Sequence, residues 1–151
     1  MKKTFIILFC FIFSNFIQSQ NLNIKFVEQI TKVSFLDIDN VMTEGYGFIK
    51  VSDEDNGNKK KYAKIPDNND DNAIFITLFK PKNEPLNSLS IFLAKNYNIQ
   101  KIKRDLMEND FLYLGENKNG FWQYQKENIV CLVSKEPNDI GANQILILYK
   151  E

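Results

Sequence analysis

No histidine occurs in this chain of 151 residues, and that absence narrows its chemistry more than any residue present. Without imidazole there is no Ser-His-Asp or Cys-His nucleophile and none of the commonest zinc sites. There is also no side chain that titrates unaided near neutral pH. Cys131 stands inside the apolar run Ile129-Val-Cys-Leu-Val133, where a thiol reads as a small hydrophobe rather than as a nucleophile or metal ligand. No spacing of serine and lysine supports a Ser-Lys dyad. Two acidic stretches, Asp53-Glu-Asp-Asn-Gly57 and Asp67-Asn-Asn-Asp-Asp-Asn72, offer the oxygen ligands that calcium takes. Aligned on an EF-hand loop, the first would begin at Ser52 and end on Ala63. The second lacks the glycine and would end on Leu78. Both read as solvated turns. Asp37 and Asp39 diverge on a helix, so they suit a helix start better than a glycosidase pair, and Glu136 and Asp139 fall in a loop. Lys59-Lys60-Lys61 with Lys64 could grip an anionic polymer, but reads better as a charged edge strand that resists aggregation. No catalytic residue, metal ligand set or cofactor is expected.

The elements that would position these residues occur in two similar sets. Phe35, Ile38 and Met42 have the spacing of Ile99, Ile102 and Leu106, and Asn56-Gly57 recurs as Asn119-Gly120. The run Asn72-Ala-Ile-Phe-Ile-Thr-Leu-Phe-Lys-Pro81 resembles Asn128-Ile-Val-Cys-Leu-Val-Ser-Lys-Glu-Pro137. Such self-similarity bears on architecture before any local reading does. In the first set, residues 23–33 fit either a helix or a strand. Ser34 is placed to cap a helix carrying Phe35, Ile38, Val41 and Met42 on one face, and Gly45 to end it. Strands follow at 46–52, 59–65, 73–79 and 89–95. Asn56-Gly57 suits the first hairpin turn, while Pro81 and Pro85 punctuate the last connection. The third strand is continuously apolar, which predicts cover on both faces. In the second set, Asn98 caps a helix carrying Ile99, Ile102 and Leu106, and strands follow at 111–114, 121–126, 129–134 and 144–149. The expected fold is α+β: two tandem α-ββββ units, 20–95 and 96–151, forming a pseudo-twofold antiparallel sheet with the helices packed on one face.

Tandem helix-plus-four-strand units of this kind resemble the β-lactamase-inhibitor-like and PepSY-like secreted proteins. The resemblance covers nearly all of the chain after its first 19 residues and lies in the order of elements. It implies an exported protein that binds another protein, and it carries no site residue across.

Residues 1–19 read as a signal peptide. Lys2 and Lys3 precede an unbroken apolar stretch from Phe5 to Phe13, and Ile17 and Ser19 suit cleavage after Ser19. The stretch is shorter than a membrane span and turns polar at Ser14. Phe9 is too bulky for Cys10 to be a lipoprotein acylation site. Export to the periplasm, cell surface or medium follows, with no stable membrane span after cleavage. The wealth of Lys, Asn, Ile and Phe resembles an AT-rich bacterial genome, and the leader resembles those of Bacteroidetes-type bacteria. Basic and acidic residues balance at 19 each, and loss of Lys2 and Lys3 leaves a small acidic excess. That argues against nucleic acid as a partner. With Cys131 the one cysteine left, no intrachain disulfide can form.

Strand alternation supplies the candidate site. Phe75 and Phe79 share a face, Tyr46 with Phe48, Phe111 with Tyr113, and Trp122 with Tyr124, while Tyr62 stands between Lys60 and Lys64. The complementary positions, among them Ile49, Val51, Ile74, Ile76, Leu78, Ile91 and Leu93, are aliphatic. The expectation is that aliphatic side chains pack under the helices and an aromatic face stays open. Tyr46, Phe48, Tyr62, Tyr113, Trp122 and Tyr124 would then receive another protein. The alternative is a homodimer formed through the same face by an envelope structural component.

Overall fold

The computed structural model describes residues 22–54, 57–80 and 87–149. Residues 1–19, read above as a signal peptide, Asn56 of the expected first hairpin turn, and Pro81 and Pro85 lie outside the described residues. Eight strands form one antiparallel sheet: β1 (Ile49–Glu54), β2 (Lys59–Lys64), β3 (Ile74–Phe79), β4 (Ser88–Leu93), β5 (Leu112–Glu116), β6 (Phe121–Lys126), β7 (Ile129–Ser134) and β8 (Asn143–Tyr149). Their order is β1-β2-β3-β4-β8-β7-β6-β5, so chain neighbours pair throughout except where β4 meets β8 at the middle. With helices α1 (Ile24–Lys32), α2 (Ile38–Asn40) and α3 (Ile99–Glu108), the fold is α+β. Among the described residues, no helix is long and apolar enough to cross a membrane.

Local sequence explains most of these elements. The ambiguous stretch 23–33 resolves as helix because Ile24, Val27, Ile30 and Thr31 bury one stripe, and because Asn23 Oδ1 accepts from Phe26 N at 2.8 Å. In α3, Asn98 Oδ1 accepts from Lys101 N at 3.1 Å, and Leu106 is fully buried. The expected helix after Ser34 is shorter than its apolar spacing implies. Residues 35–37 form a turn, with Asp37 N bonded to Ser34 O, and α2 passes at once into a π-helical turn, Val41–Gly45. Gly45 does not take the left-handed conformation; Gly47 does, at φ 67°. The turn closes on the first strand through the bond from Phe48 N to Met42 O, which delays β1 to Ile49.

Cross-strand partners share a face, so the register separates the two sides of the sheet. Tyr62 pairs with Ile76, Ile76 with Ile91, Ile91 with Ile145, Ile145 with Val133, and Val133 with Trp122. This side joins Ile30, Ile38, Met42 and Leu106 of the helical segments in one core. Burying each such side chain contributes on the order of 1.5–3 kcal/mol. On the other side Ile49 pairs with Ala63, Ala63 with Phe75, and Phe75 with Phe92. Phe75 is 48% exposed, so β3 is covered on one face and not on both as its apolar run implied.

Polar side chains fasten the helices to one another and to the sheet. Asp105 Oδ2 of α3 accepts from Ile24 N at 2.7 Å, which places a carboxylate at the positive end of α1. Asn87, just before β4, donates from Nδ2 to Val33 O at 2.8 Å and from its backbone N to Thr31 O at 2.9 Å, satisfying carbonyls at the end of α1. Lys126 of β6 meets Glu28 of α1 at 2.9 Å.

Candidate functional site

The register corrects the expected aromatic face. Tyr62 and Tyr124 are each 1% exposed and lie on the helix-covered side. Phe48 is buried, stacked on Phe26 of α1 with ring centroids 6.0 Å apart. Tyr46 meets the same Phe26 ring edge-on at 4.6 Å, and its hydroxyl donates to Gln29 Oε1 at 2.6 Å. Trp122 is partly buried under α3, with Lys103 Nζ 3.5 Å from its ring centroid. Tyr113, at the outer strand, is 47% exposed and tilts against the Tyr124 ring at 5.2 Å. None of the six side chains therefore stands on the helix-free side. Conversely, Ile49 and Val51, expected beneath the helices, are 72% and 58% exposed.

The physical reason is the pairing of Tyr62. A tyrosine is buried readily when its hydroxyl finds a partner. Here Tyr62 Oη donates to Asp39 Oδ1 at 2.5 Å, while Lys50 and Lys60 each donate to Asp39 Oδ2 at 3.0 Å. Lys60 Nζ also donates to Phe35 O at 2.7 Å and sits 4.9 Å from the Phe35 ring centroid. Burial alone would raise the Asp39 pKa. The hydrogen bonds from Tyr62, Lys50 and Lys60 outweigh it and hold the carboxyl down at about 2. The lysine cluster is thus no charged edge: β2 lies between β1 and β3, and Lys60 and Lys64 face the helices. Asp37 stays exposed, so the two aspartates diverge and only Asp39 reaches the sheet.

What the helices leave uncovered is the opposite side. Its exposed apolar residues include Ile49 near one edge, Phe75 and Leu148 in the interior and Leu112 near the other edge. Between them the register interleaves polar residues: Lys61 pairs with Thr77 and Thr77 with Ser90 towards one edge, and Gln125 pairs with the apolar Val130 towards the other. Both edge strands carry a register shift, between Lys50 and Ser52 in β1 and between Tyr113 and Gly115 in β5. Such bulges bend an edge away from pairing with another strand. In β5 the bulge uses Gly115 at φ 109°, a conformation closed to most side chains. Lys59 and Lys61 put charge on this side of β2, whereas β3, β4, β8, β7 and β6 present only apolar and uncharged polar residues there, the mixture found at the centre of an interaction surface.

Cys131 is wholly buried in the core, and burial pushes its thiol pKa up. Tyr124 is pushed up to about 12 by burial first, then by neighbouring Tyr113 and Cys131. Neither group is activated for chemistry. Cys131 is expected to react with a disulfide reagent such as DTNB only as fast as the native protein unfolds. Rapid stoichiometric labelling under native conditions would refute its placement.

Of the residues that organise the covered side, Asn87 and Asp105 carry no sequence signal, and Asp39 stands out only as a helix-start residue beside Asp37. Each is one polar residue among many, and only its distant partner distinguishes it. The chain matches no protein-family model, no curated protein and no solved structure.

Proposed function

We propose that the chain is an exported, non-catalytic protein-binding module, built as two tandem α-ββββ units, that offers the helix-free side of its sheet to another protein. The observation that carries this reading is the row Ile49, Ala63, Phe75, Phe92, which runs across four strands with Ile49 and Phe75 open to solvent. Apolar side chains left open side by side on a sheet face are a feature of interaction surfaces. The absence of histidine and the buried state of Cys131 support a role without catalysis.

A chain of residues 20–151 carrying both Ile49→Ser and Phe75→Ser is expected to keep its thermal midpoint, since neither side chain is buried. It is expected to lose capture of the envelope protein that the unchanged chain retains from its native organism. Equal capture by both forms would remove the helix-free side as the binding surface.

A homodimer through the same side is the second reading. The two edges of this side are alike, with Ile49 exposed on β1 and Leu112 on β5, and an isologous interface needs a self-complementary patch. Sedimentation over a wide concentration range separates the readings: a mass that stays monomeric throughout counts against the dimer.

A further inference from the structure

A groove of about 320 Å³ lies at one end of the helix-free side, above β4, β8, β7 and β6. Its floor is one row of the register: Phe92 pairs with Gln144, and Phe121 with Ser134. Gln144 N donates to Ser134 Oγ at 2.8 Å, which joins the two halves of the row. An aromatic ring therefore stands at each end, with an amide and a hydroxyl between. Phe92 and Phe121 are three strands apart, on the order of 14 Å at about 4.8 Å per strand.

The walls are the β5–β6 turn at Asn119-Gly120 and the β7–β8 loop from Lys135 to Ala142. Both are held in place before any ligand arrives. Lys135 N donates to Gly120 O at 3.0 Å, tying the walls together. Asn138 Oδ1 accepts from Ile140 N at 3.2 Å and Ala142 N at 2.9 Å, which leaves the Asn138 amide nitrogen as a donor. Gln144 Nε2 donates to Ser90 Oγ at 3.1 Å, which leaves the Gln144 carbonyl oxygen as an acceptor. A largely preformed groove of a few hundred Å³ with a few fixed polar groups is the usual form of a small-ligand site.

The lining selects the ligand class. The Lys135 ammonium is engaged by Glu116 at 3.2 Å, and Glu136 also lines the groove, so a phosphate or carboxylate finds no unshared cation there. The two rings are separated by polar groups, so a continuous hydrocarbon chain would bury an amide and a hydroxyl at a cost. What fits is an uncharged ligand with hydroxyl groups on its rim and a C–H face that can lie on the electron-rich face of an aromatic ring. We infer that this groove binds an uncharged oligosaccharide of two or three sugar rings, with Phe92 and Phe121 as stacking platforms and Gln144 and Asn138 as hydrogen-bonding groups. This inference goes beyond the protein partner proposed above and shares Phe92 with that surface, while Phe121, Gln144 and Asn138 belong to the groove alone.

The test is a nitrogen-15 NMR titration of residues 20–151 with three probes: cellotetraose, maltotetraose and chitotetraose. At least one is expected to shift the Gln144 and Asn138 side-chain amides and the Gly120 backbone signal in a saturable way. Phe121→Ala and Gln144→Ala, each confirmed as folded by its dispersed spectrum, are expected to weaken that probe by about tenfold or more. Leu36→Ala, at an exposed side chain in the turn before α2, is expected to leave the affinity unchanged. Saturable shifts at none of these signals with all three probes would overturn the inference, as would binding that survives both groove variants.

Discussion

Tyr124→Ala is expected to destabilise the protein by roughly 3–5 kcal/mol, the range for deleting a large aromatic side chain from a closed core. Tyr124 is 1% exposed, and its ring belongs to the single core shared by the helices and the sheet. Its cross-strand partner is Cys131, itself fully buried, so little can move in to fill the space. The surrounding packing is dense, and a rigid cavity costs more than the transfer of the lost atoms. Tyr113→Ala provides the contrast. Tyr113 is its cross-strand neighbour on β5 and touches the same ring, but it lies at the sheet edge and is half exposed. Its loss should cost roughly 1 kcal/mol. Urea denaturation of residues 20–151 measures both. Equal midpoints for the two variants would place Tyr124 at the surface and reinstate it as a contact residue.

Asp39→Ala is expected to cost roughly 2–3 kcal/mol, because it withdraws the acceptor that Tyr62, Lys50 and Lys60 share. Breaking one side of a fully buried charge pair would cost more. The Asp39 side chain is 33% exposed and Lys60 keeps its bond to Phe35 O, so solvent and the second acceptor moderate the effect. The pH dependence gives an independent reading. Asp39 is held at about 2, below its ordinary value of 3.8, so the folded carboxyl binds its proton less readily than the unfolded one. Its contribution is therefore fully present above the unfolded value and is lost as pH falls from about 4 towards about 2. Asp39→Asn should flatten that part of the stability curve and leave the difference between the two proteins largest near neutral pH. An acid limb that is unchanged in Asp39→Asn would show that the carboxyl is not anchored in this way.

These two variants mark where sequence reasoning and structure part. Residues 121–126 and 129–134 read as strands from alternation and turn residues alone, and they are strands with those bounds. Asn98 read as a helix cap and accepts the expected bond. In these cases the cause lies within a few residues: a side chain satisfying a nearby amide, or side chains alternating along one strand. Alternation also sorts each strand into two sets without naming the set that the helices cover. The nine residues between β2 and β3, 65–73, leave the phase of one strand relative to the next open. A shift of one residue exchanges the faces. Alternation thus groups Tyr62 with the open aromatic side, although its cross-strand partner is the core residue Ile76.

The sequence by itself determined most of the strands, the helix after Asn98, the α+β class and the lack of histidine chemistry, because composition and short-range spacing suffice for those. Only the tertiary structure decided which side of the sheet is bare. That choice rests on a carboxylate in α2 reaching a tyrosine 23 residues away, and on Asp105 and Asn87 holding α1 against one side. The groove of Phe92, Gln144, Ser134 and Phe121 likewise exists only once β4 has found β8. Long-range pairing brings together residues that no local pattern relates, and the surface available to a partner is what that pairing leaves over.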